Sequence, residues 1–174
     1  MIQDLRQMNE PDLKALLETH LAQFFKIIPE VEGRFLVDNT PVIVDYLLYP
    51  SEALITQGFD ARWVGVEVKS PIQKKKSKLS RVAWQSITYA QSEFGDYGRP
   101  MFVLTFPSVE YFVPPEERLA IYHMLPLLQH ANVGALHIKE DYWKMTFGHQ
   151  LYFNSRKGKG RVKNLGLKRN CGNF

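Results

Sequence analysis

The chain has 174 residues, of which 45% are hydrophobic and 23% are charged, a composition typical of one globular domain and not of a disordered or fibrous protein. Its net charge is +4, no apolar run is long enough to span a bilayer, and the acidic start MIQDLRQMNEPD lacks the apolar segment of a signal peptide. One cysteine, Cys171, excludes an internal disulfide, a cysteine-ligated zinc site and a cysteine-held iron–sulfur cluster, so we expect a cytoplasmic protein with oxygen or imidazole ligands for any metal.

The first part of the chain predicts one helix followed by strands. Asn9 is a helix-capping residue, and apolar residues at three- and four-residue steps predict a helix over about 10–28. We expect Pro29 to end this helix. Runs of β-branched and aromatic residues then predict three strands, over 34–38, 41–49 and 61–69. Because turn-forming residues separate the last two strands, we expect those two to form an antiparallel pair.

The rest of the chain alternates helices and strands. Ser80 caps a predicted helix that runs to about 93, and a second helix is predicted over 116–130. The apolar or β-branched runs predict three more strands, over 101–106, 133–138 and 143–147. This order indicates an α/β fold with a mixed central sheet flanked by helices. We expect one domain over 1–153, followed by a glycine-interrupted flexible arm over 154–174.

Positive charge is concentrated in two stretches that contain no acidic residue. Residues 154–174 carry seven Lys or Arg, and residues 69–81 carry six. Clustered cations are typical of proteins that bind phosphate backbones, although a solvated loop and tail would show the same pattern. The predicted nucleic-acid contacts are Lys74, Lys75, Lys76, Lys78, Arg81, Arg156, Lys157, Lys159, Arg161 and Lys163.

Three ionisable residues lie in strands that are otherwise apolar. Side chains alternate along a strand, so Glu67 and Lys69 point to the same face, and an antiparallel neighbour would bring Asp45 beside Glu67. Two adjacent carboxylates repel each other unless a cation lies between them, and hard oxygen ligands suit Mg²⁺ or Mn²⁺. The alternative is a buried ion pair with a purely structural role.

The order of Asp45 and Glu67-Val68-Lys69 resembles the motif of the PD-(D/E)XK nuclease superfamily. Gln85 and Tyr89, one helical turn apart in the next helix, resemble the Q-x-x-x-Y motif of its RecB-like and Cas4-like branch, here without an iron–sulfur cluster. The resemblance covers residues of about 10–106. It implies a restriction-endonuclease-like core in the order αβββαβ.

The resemblance also implies a role for each residue. Asp45, Glu67 and the Val68 carbonyl would hold Mg²⁺, for which Mn²⁺ could substitute, and either Glu18 or His20 of the first helix would complete the site. Lys69 would orient or deprotonate a water or stabilise developing charge, while Gln85 and Tyr89 would position a phosphate or a water.

The expected function is a Mg²⁺-dependent deoxyribonuclease, an endonuclease from phage or a mobile element that leaves 5′-phosphates. A homodimer would let it cut two strands. One alternative is an inactive nuclease-fold module that binds DNA or assembles a replication or recombination complex, and another is an RNA-directed or protein-binding domain. The other histidines (His123, His130, His137 and His149) and the three tryptophans (Trp63, Trp84 and Trp143) are interpreted as packing or surface residues.

Overall fold

The computed structural model describes residues 4–72 and 76–162, without the side chains of residues 76 and 77. Within these ranges the chain forms four α-helices: α1 (Glu10–Leu21), α2 (Glu52–Thr56), α3 (Lys76–Ala90) and α4 (Arg118–His130). It also forms nine strands: β1 (Phe25–Phe35), β2 (Pro41–Pro50), β3 (Val64–Val68), β4 (Ser92–Glu93), β5 (Val103–Phe106), β6 (Val133–Ile138), β7 (Trp143–Phe147), β8 (Gln150–Asn154) and β9 (Gly158–Lys159).

All nine strands join one mixed sheet in the order β4-β1-β2-β3-β5-β6-β7-β8-β9. Strands β3, β5 and β6 are parallel to one another, and the other pairs are antiparallel. The chain is therefore α/β, with a large mixed sheet flanked by helices, as the alternation of predicted elements indicated. None of the helices in the described ranges is long and apolar enough to cross a membrane.

Helices cover both faces of the sheet. Leu13, Leu17 and Leu21 of α1 pack on one face with the alternating valines of β3, whereas α3 and α4 pack on the other face. Since successive residues of a strand point to opposite faces, Gly65 and Glu67 of β3 face the α3 side. The residues of β3 are all buried, so Glu67 is a carboxyl group inside the core layer.

The first helix is shorter than predicted. It ends at Leu21, and residues 25–28, which were expected to be helical, belong to β1 and pair with residues 47–50 of β2. Of the predicted strand over 34–38, residues 34 and 35 are the end of the eleven-residue β1, and residues 36–38 form a turn. Pro29 lies inside β1 because, among the described residues, the strand has a neighbour on one side only at that point, so the missing N–H breaks no ladder bond. Pairing with β2 therefore stabilises this segment as a strand more than its apolar spacing favours a helix.

The end of the domain also differs from the prediction. Residues 150–154 form β8, and 158–159 form β9, which pairs antiparallel with β8. Residues 154–159 of the predicted arm therefore form part of a β-hairpin at the edge of the sheet, and the Gly160 N–H donates to the Tyr152 carbonyl at 2.8 Å. Residues 163–174 of that arm lie outside the described ranges.

His137 is expected to make stability depend on pH. Burial, aided by the charges of Lys144 and Lys139, lowers the pKa of this histidine to about 4, and its Nε2 hydrogen-bonds Thr146 Oγ1 at 2.9 Å. Because the folded state favours the neutral ring, its contribution is complete above pH 6.5 and is lost as the pH falls toward about 4. Between about pH 7.5 and 5, the free energy of unfolding measured in urea should fall by ~2 kcal/mol more for the wild type than for His137→Gln. Equal losses in the two proteins would contradict this assignment.

Candidate active site

Asp45 and Glu67 lie side by side on the α3 face of the sheet. The antiparallel register pairs Tyr46 with Val66, which brings Asp45 opposite Glu67 in the neighbouring strand. Asp45 Oδ2 also accepts a hydrogen bond from the Val68 N–H at 2.8 Å. The backbone of β3 thereby fixes the orientation of the Asp45 carboxylate toward the end of that strand.

Glu67 is held in its neutral form by this surrounding. Its side chain is 3% exposed, and burial, followed by the charge and hydrogen bond of Asp45, raises its pKa to about 9. Lys69 opposes this shift with its positive charge but does not reverse it. A carboxyl group at such a position loses its proton only when a further cation balances the resulting negative charge.

Two lysines pair with the carboxylates of Asp45 and Glu10. Lys14 Nζ lies 2.7 Å from Asp45 Oδ1 and 3.9 Å from Glu10 Oε1, and Lys69 Nζ lies 3.3 Å from Glu10 Oε2. Lys14 and Glu10 come from the first turns of α1, which reach the end of β3. The carboxylates of Glu10 and Asp45 therefore each lie beside an ammonium group, whereas Glu67 stays neutral.

Helix α3 contributes Gln85 and Tyr89. Both side chains face Asp45 and Glu67, because they are four residues apart and share one face of the helix. Burial and the nearby Glu67 and Asp45 carboxyl groups raise the pKa of Tyr89, which hydrogen-bonds the Gln85 side chain. The Oε1 atom of Gln85 is buried and accepts no hydrogen bond from the described residues, so it is free to bind a ligand or a water.

These side chains line one open groove of about 390 Å³. All five predicted catalytic residues reach it from three separate elements. The groove also contains acidic residues that the sequence analysis missed, and Glu30 has a left-handed φ of 49° that interrupts the pairing of β1 with β2. The lining residues are Glu10, Glu30, Glu32, Ile43, Asp45, Glu67, Lys69, Gln85 and Tyr89.

Glu18 and His20, the two predicted contributions of the first helix, do not line this groove. Glu18 accepts a hydrogen bond from the Tyr46 hydroxyl at 2.7 Å, and His20 Nδ1 lies 3.0 Å from the Leu16 carbonyl oxygen. Tyr46 points to the α1 face, opposite to its neighbour Asp45. The body of α1 packs on that face, so Glu10 at its first turn takes the place expected for the later residues.

The groove contains hard oxygen donors of the kind that a divalent cation prefers. Asp45 and Glu67 supply carboxyl oxygens, and the Val68 carbonyl points to the same side of β3 as its N–H, which bonds Asp45. The unpartnered Gln85 oxygen adds a polar atom close by. In the described ranges no group of three or more His, Cys, Asp or Glu side chains is arranged to hold a metal, so the fit rests on two carboxyl groups and a backbone oxygen.

The predicted phosphate-binding residues divide into separate regions. Lys74, Lys75 and Lys163 lie outside the described residues, as does the side chain of Lys76. Lys78 Nζ donates to the Ile72 carbonyl at 2.7 Å, and Arg81 is exposed on α3, one turn before Gln85. Towards the end of the chain, Arg156 pairs with Asp141, Lys159 pairs with Asp60 at 2.9 Å, and Lys157 and Arg161 are exposed. The two paired cations lie against acidic partners outside the groove.

Replacing Lys14 with Met is expected to increase affinity for a divalent cation. The ammonium group at 2.7 Å neutralises Asp45 and therefore competes with a metal for the same oxygen. We expect Lys14→Met to bind Mn²⁺ about tenfold more tightly than the wild type in calorimetric titrations. Lys26→Met, which removes the same charge from an exposed site on β1, is the matched control and should leave the affinity unchanged. Unaltered binding by Lys14→Met would show that this lysine does not compete.

Comparison of the chain with protein-family models, with curated proteins and with solved structures gave no match.

Proposed function

We propose that the protein is a metal-dependent deoxyribonuclease of the PD-(D/E)XK type with a restriction-endonuclease-like core. The observation that carries this proposal is the common groove of Asp45, Glu67, Lys69, Gln85 and Tyr89. These residues come from β2, from β3 and the residue that follows it, and from α3, and their order in the chain matches both superfamily motifs. A buried ion pair would explain one carboxylate and one lysine, but not the neutral Glu67 and the unpartnered Gln85 oxygen beside them.

The order of elements supports the same proposal. From α1 to β5 the main elements follow the order αβββαβ, with only the short α2 and β4 added. β3 carries Glu67 at the centre of the sheet, between the antiparallel β2 and the parallel β5. This arrangement brings residues from the ends of β3 and α1 to the same side as α3.

In this proposal Asp45, Glu67 and the Val68 carbonyl would hold Mg²⁺. Bound there, the ion would neutralise charge on the scissile phosphate and lower the pKa of the attacking water. Lys69 Nζ, now paired with Glu10 at 3.3 Å, orients that water or stabilises negative charge on the phosphoryl oxygens. Gln85 Oε1 accepts a hydrogen bond from the water, and the Tyr89 hydroxyl, kept protonated by its raised pKa, donates to a phosphate oxygen.

The alternative is a nuclease-fold module that binds DNA without cutting it. The position of Lys14 favours this alternative, because its ammonium group occupies an Asp45 oxygen that a catalytic metal would need. In an inactive module the two lysines would replace the metal permanently as structural counter-ions. The two functions differ in whether a divalent ion enters the groove and whether phosphodiester bonds break.

A cleavage panel separates these functions. Single-stranded, duplex and branched DNA and a matched RNA are incubated with Mg²⁺ or Mn²⁺, with EDTA samples as blanks. Products with 5′-phosphates that appear only with the metal and with DNA are expected. Binding without any product would favour the inactive module, and preferential cleavage of RNA would overturn the assignment of the substrate.

Trp84 is expected to strengthen binding of unpaired DNA. Its indole is 70% exposed, it directly precedes Gln85, and the exposed Arg81 lies one turn away on the same face of α3. Stacking of a base on an aromatic ring contributes ~1–3 kcal/mol, so we expect Trp84→Ala to weaken single-stranded DNA binding about tenfold. Fluorescence anisotropy measures the affinities, with Leu127→Ala, a 68% exposed residue of α4, as control. Equal affinities of Trp84→Ala and wild type would exclude this contact.

A further inference from the structure

A second cavity, separate from the groove, contains two arginines. It has a volume of about 230 Å³ and is more enclosed than the groove. None of its lining residues lines the candidate active site. They are Arg6, Glu110, Tyr111, Arg118, Ile121 and Tyr122.

The Arg6 guanidinium group is held by an aromatic ring. Its carbon atom lies 5.2 Å from the centre of the Tyr111 ring, and its buried Nε–H donates to no acceptor among the described residues. A buried guanidinium N–H without an acceptor is costly, because this group has lost water without gaining a partner. The cavity thus holds a cation whose hydrogen-bonding capacity is not used within the described chain.

Arg118 adds a second cation from another element. It is the first residue of the thirteen-residue helix α4. The single carboxylate in the lining, Glu110, leaves the cavity with an excess of positive charge. Arginine on two sides suits phosphate, since guanidinium groups form paired hydrogen bonds with its oxygens.

The cavity is close to the candidate active site along the backbone. Ser70, the residue after Lys69, donates from its hydroxyl to the Met8 carbonyl at 2.8 Å. Arg6 and Glu10 each lie two residues from Met8, on opposite sides of this bond. Four residues of extended chain span at most ~14 Å, so the Cα atoms of Arg6 and Glu10 are no further apart than this. One DNA strand rises ~3.4 Å per nucleotide, so this limit on the Cα separation corresponds to about four nucleotides.

We propose that this cavity binds a phosphate group at the end of a DNA strand, a few nucleotides from the bond to be cut. The proposal rests on the proposed nuclease function and defines its substrate as a strand with a phosphorylated end. An end is favoured over an internal phosphate because this cavity is smaller and more enclosed than the groove. Arg6 and Arg118 bind the phosphate oxygens, and Tyr122, whose ring borders the cavity and is largely exposed, contacts the first nucleotide.

The test measures binding without cleavage. Oligonucleotides with a 5′-phosphate, with a 3′-phosphate and with no terminal phosphate are titrated in EDTA with the full chain and with Arg6→Gln and Arg118→Gln. We expect one phosphorylated end to bind the wild type at least about fivefold more tightly than the unphosphorylated strand, and each variant to lose this preference. Arg62→Gln, which removes an exposed arginine outside the cavity, should keep it. Thermal melting checks that the variants are folded, and the exposed Arg118 provides a variant that does not disturb the Arg6–Tyr111 contact.

Two further arms identify the source of the phosphate. Inorganic phosphate and a deoxynucleoside monophosphate are added as competitors, and both are expected to reduce the end preference only at millimolar concentration. The assignment to a strand end would be overturned if the free nucleotide bound tightly and the terminal phosphate did not change the affinity for DNA. So would equal affinities for phosphorylated and unphosphorylated strands. A protein that prefers the phosphorylated end but cuts nothing would refute the nuclease function alone, whereas one that cuts DNA regardless of its ends would refute only this inference.

Discussion

Glu67→Gln is expected to reduce Mg²⁺-dependent DNA cleavage by at least about 10³-fold. The substitution keeps the size and polarity of the side chain but removes the negative charge that a bound cation needs. Because Glu67 is neutral in the metal-free protein, with a pKa raised to about 9, the amide resembles the form that is already present. The loss is therefore expected in metal binding and catalysis and not in folding. Rates are measured on the best substrate of the cleavage panel.

The raised pKa of Glu67 also predicts the stability of Glu67→Gln. For a carboxyl group with a raised pKa, stability is complete below the ordinary value and is lost as the pH rises through the folded value. At about pH 8, Glu67→Gln should thus be at least as stable as the wild type in EDTA, and its affinity for DNA should be within about twofold. Glu52→Gln, on the exposed side of α2, is the control and should cleave normally. Full activity of Glu67→Gln would refute the nuclease assignment.

Trp143→Ala is expected to destabilise the protein by about 3–5 kcal/mol, the range for removing a buried Trp or Phe side chain. Trp143 is 1% exposed, and its ring lies 5.5 Å from Phe24, 5.3 Å from Phe25 and 5.6 Å from Phe153. These rings join the start of β1 to strands β7 and β8, beneath the face on which α1 packs. A cavity there would loosen the support of α1 and hence of Glu10 and Lys14.

Urea unfolding monitored by circular dichroism measures this effect, with Trp84→Ala as the matched control. The same substitution at the exposed Trp84 removes no buried contact and should change the free energy of unfolding by less than about 0.5 kcal/mol. Trp143→Phe should be intermediate, because the indole Nε1 forms no hydrogen bond within the described residues and only ring area is lost. Similar effects of Trp143→Ala and Trp84→Ala would show that the aromatic cluster does not contribute to stability.

Sequence reasoning was most successful where a pattern is local. The alternation in β3 predicted that Glu67 and Lys69 share a face, and the four-residue spacing predicted the same for Gln85 and Tyr89. The antiparallel pairing of β2 with β3 followed from turn residues between two apolar runs, and the structure confirms it. Local sequence patterns alone therefore place Asp45 near Glu67.

It failed where a distant partner decides the outcome. Residues 25–28 have the apolar spacing of a helix, but their pairing with 47–50 makes them a strand. Helix α1 packs on the face of the sheet opposite to Asp45, so Glu10 and Lys14, from its first turns, reach the site in place of Glu18 and His20. The acidic residues Glu30 and Glu32 could not be assigned because their strand was expected to begin after them.

Taken by itself, the sequence determined the α/β class, the strands and helices that carry the five candidate site residues, and the two regions of concentrated positive charge. Each of these depends on residues that are near one another in the chain, whose side-chain directions follow from backbone geometry. Only the tertiary structure decided which first-turn residues of α1 meet β3, that Lys14 neutralises Asp45, and that Arg6 and Arg118 share a cavity. These contacts join segments far apart in sequence, and they form because packing of the whole sheet and its helices lowers the free energy more than any local preference can.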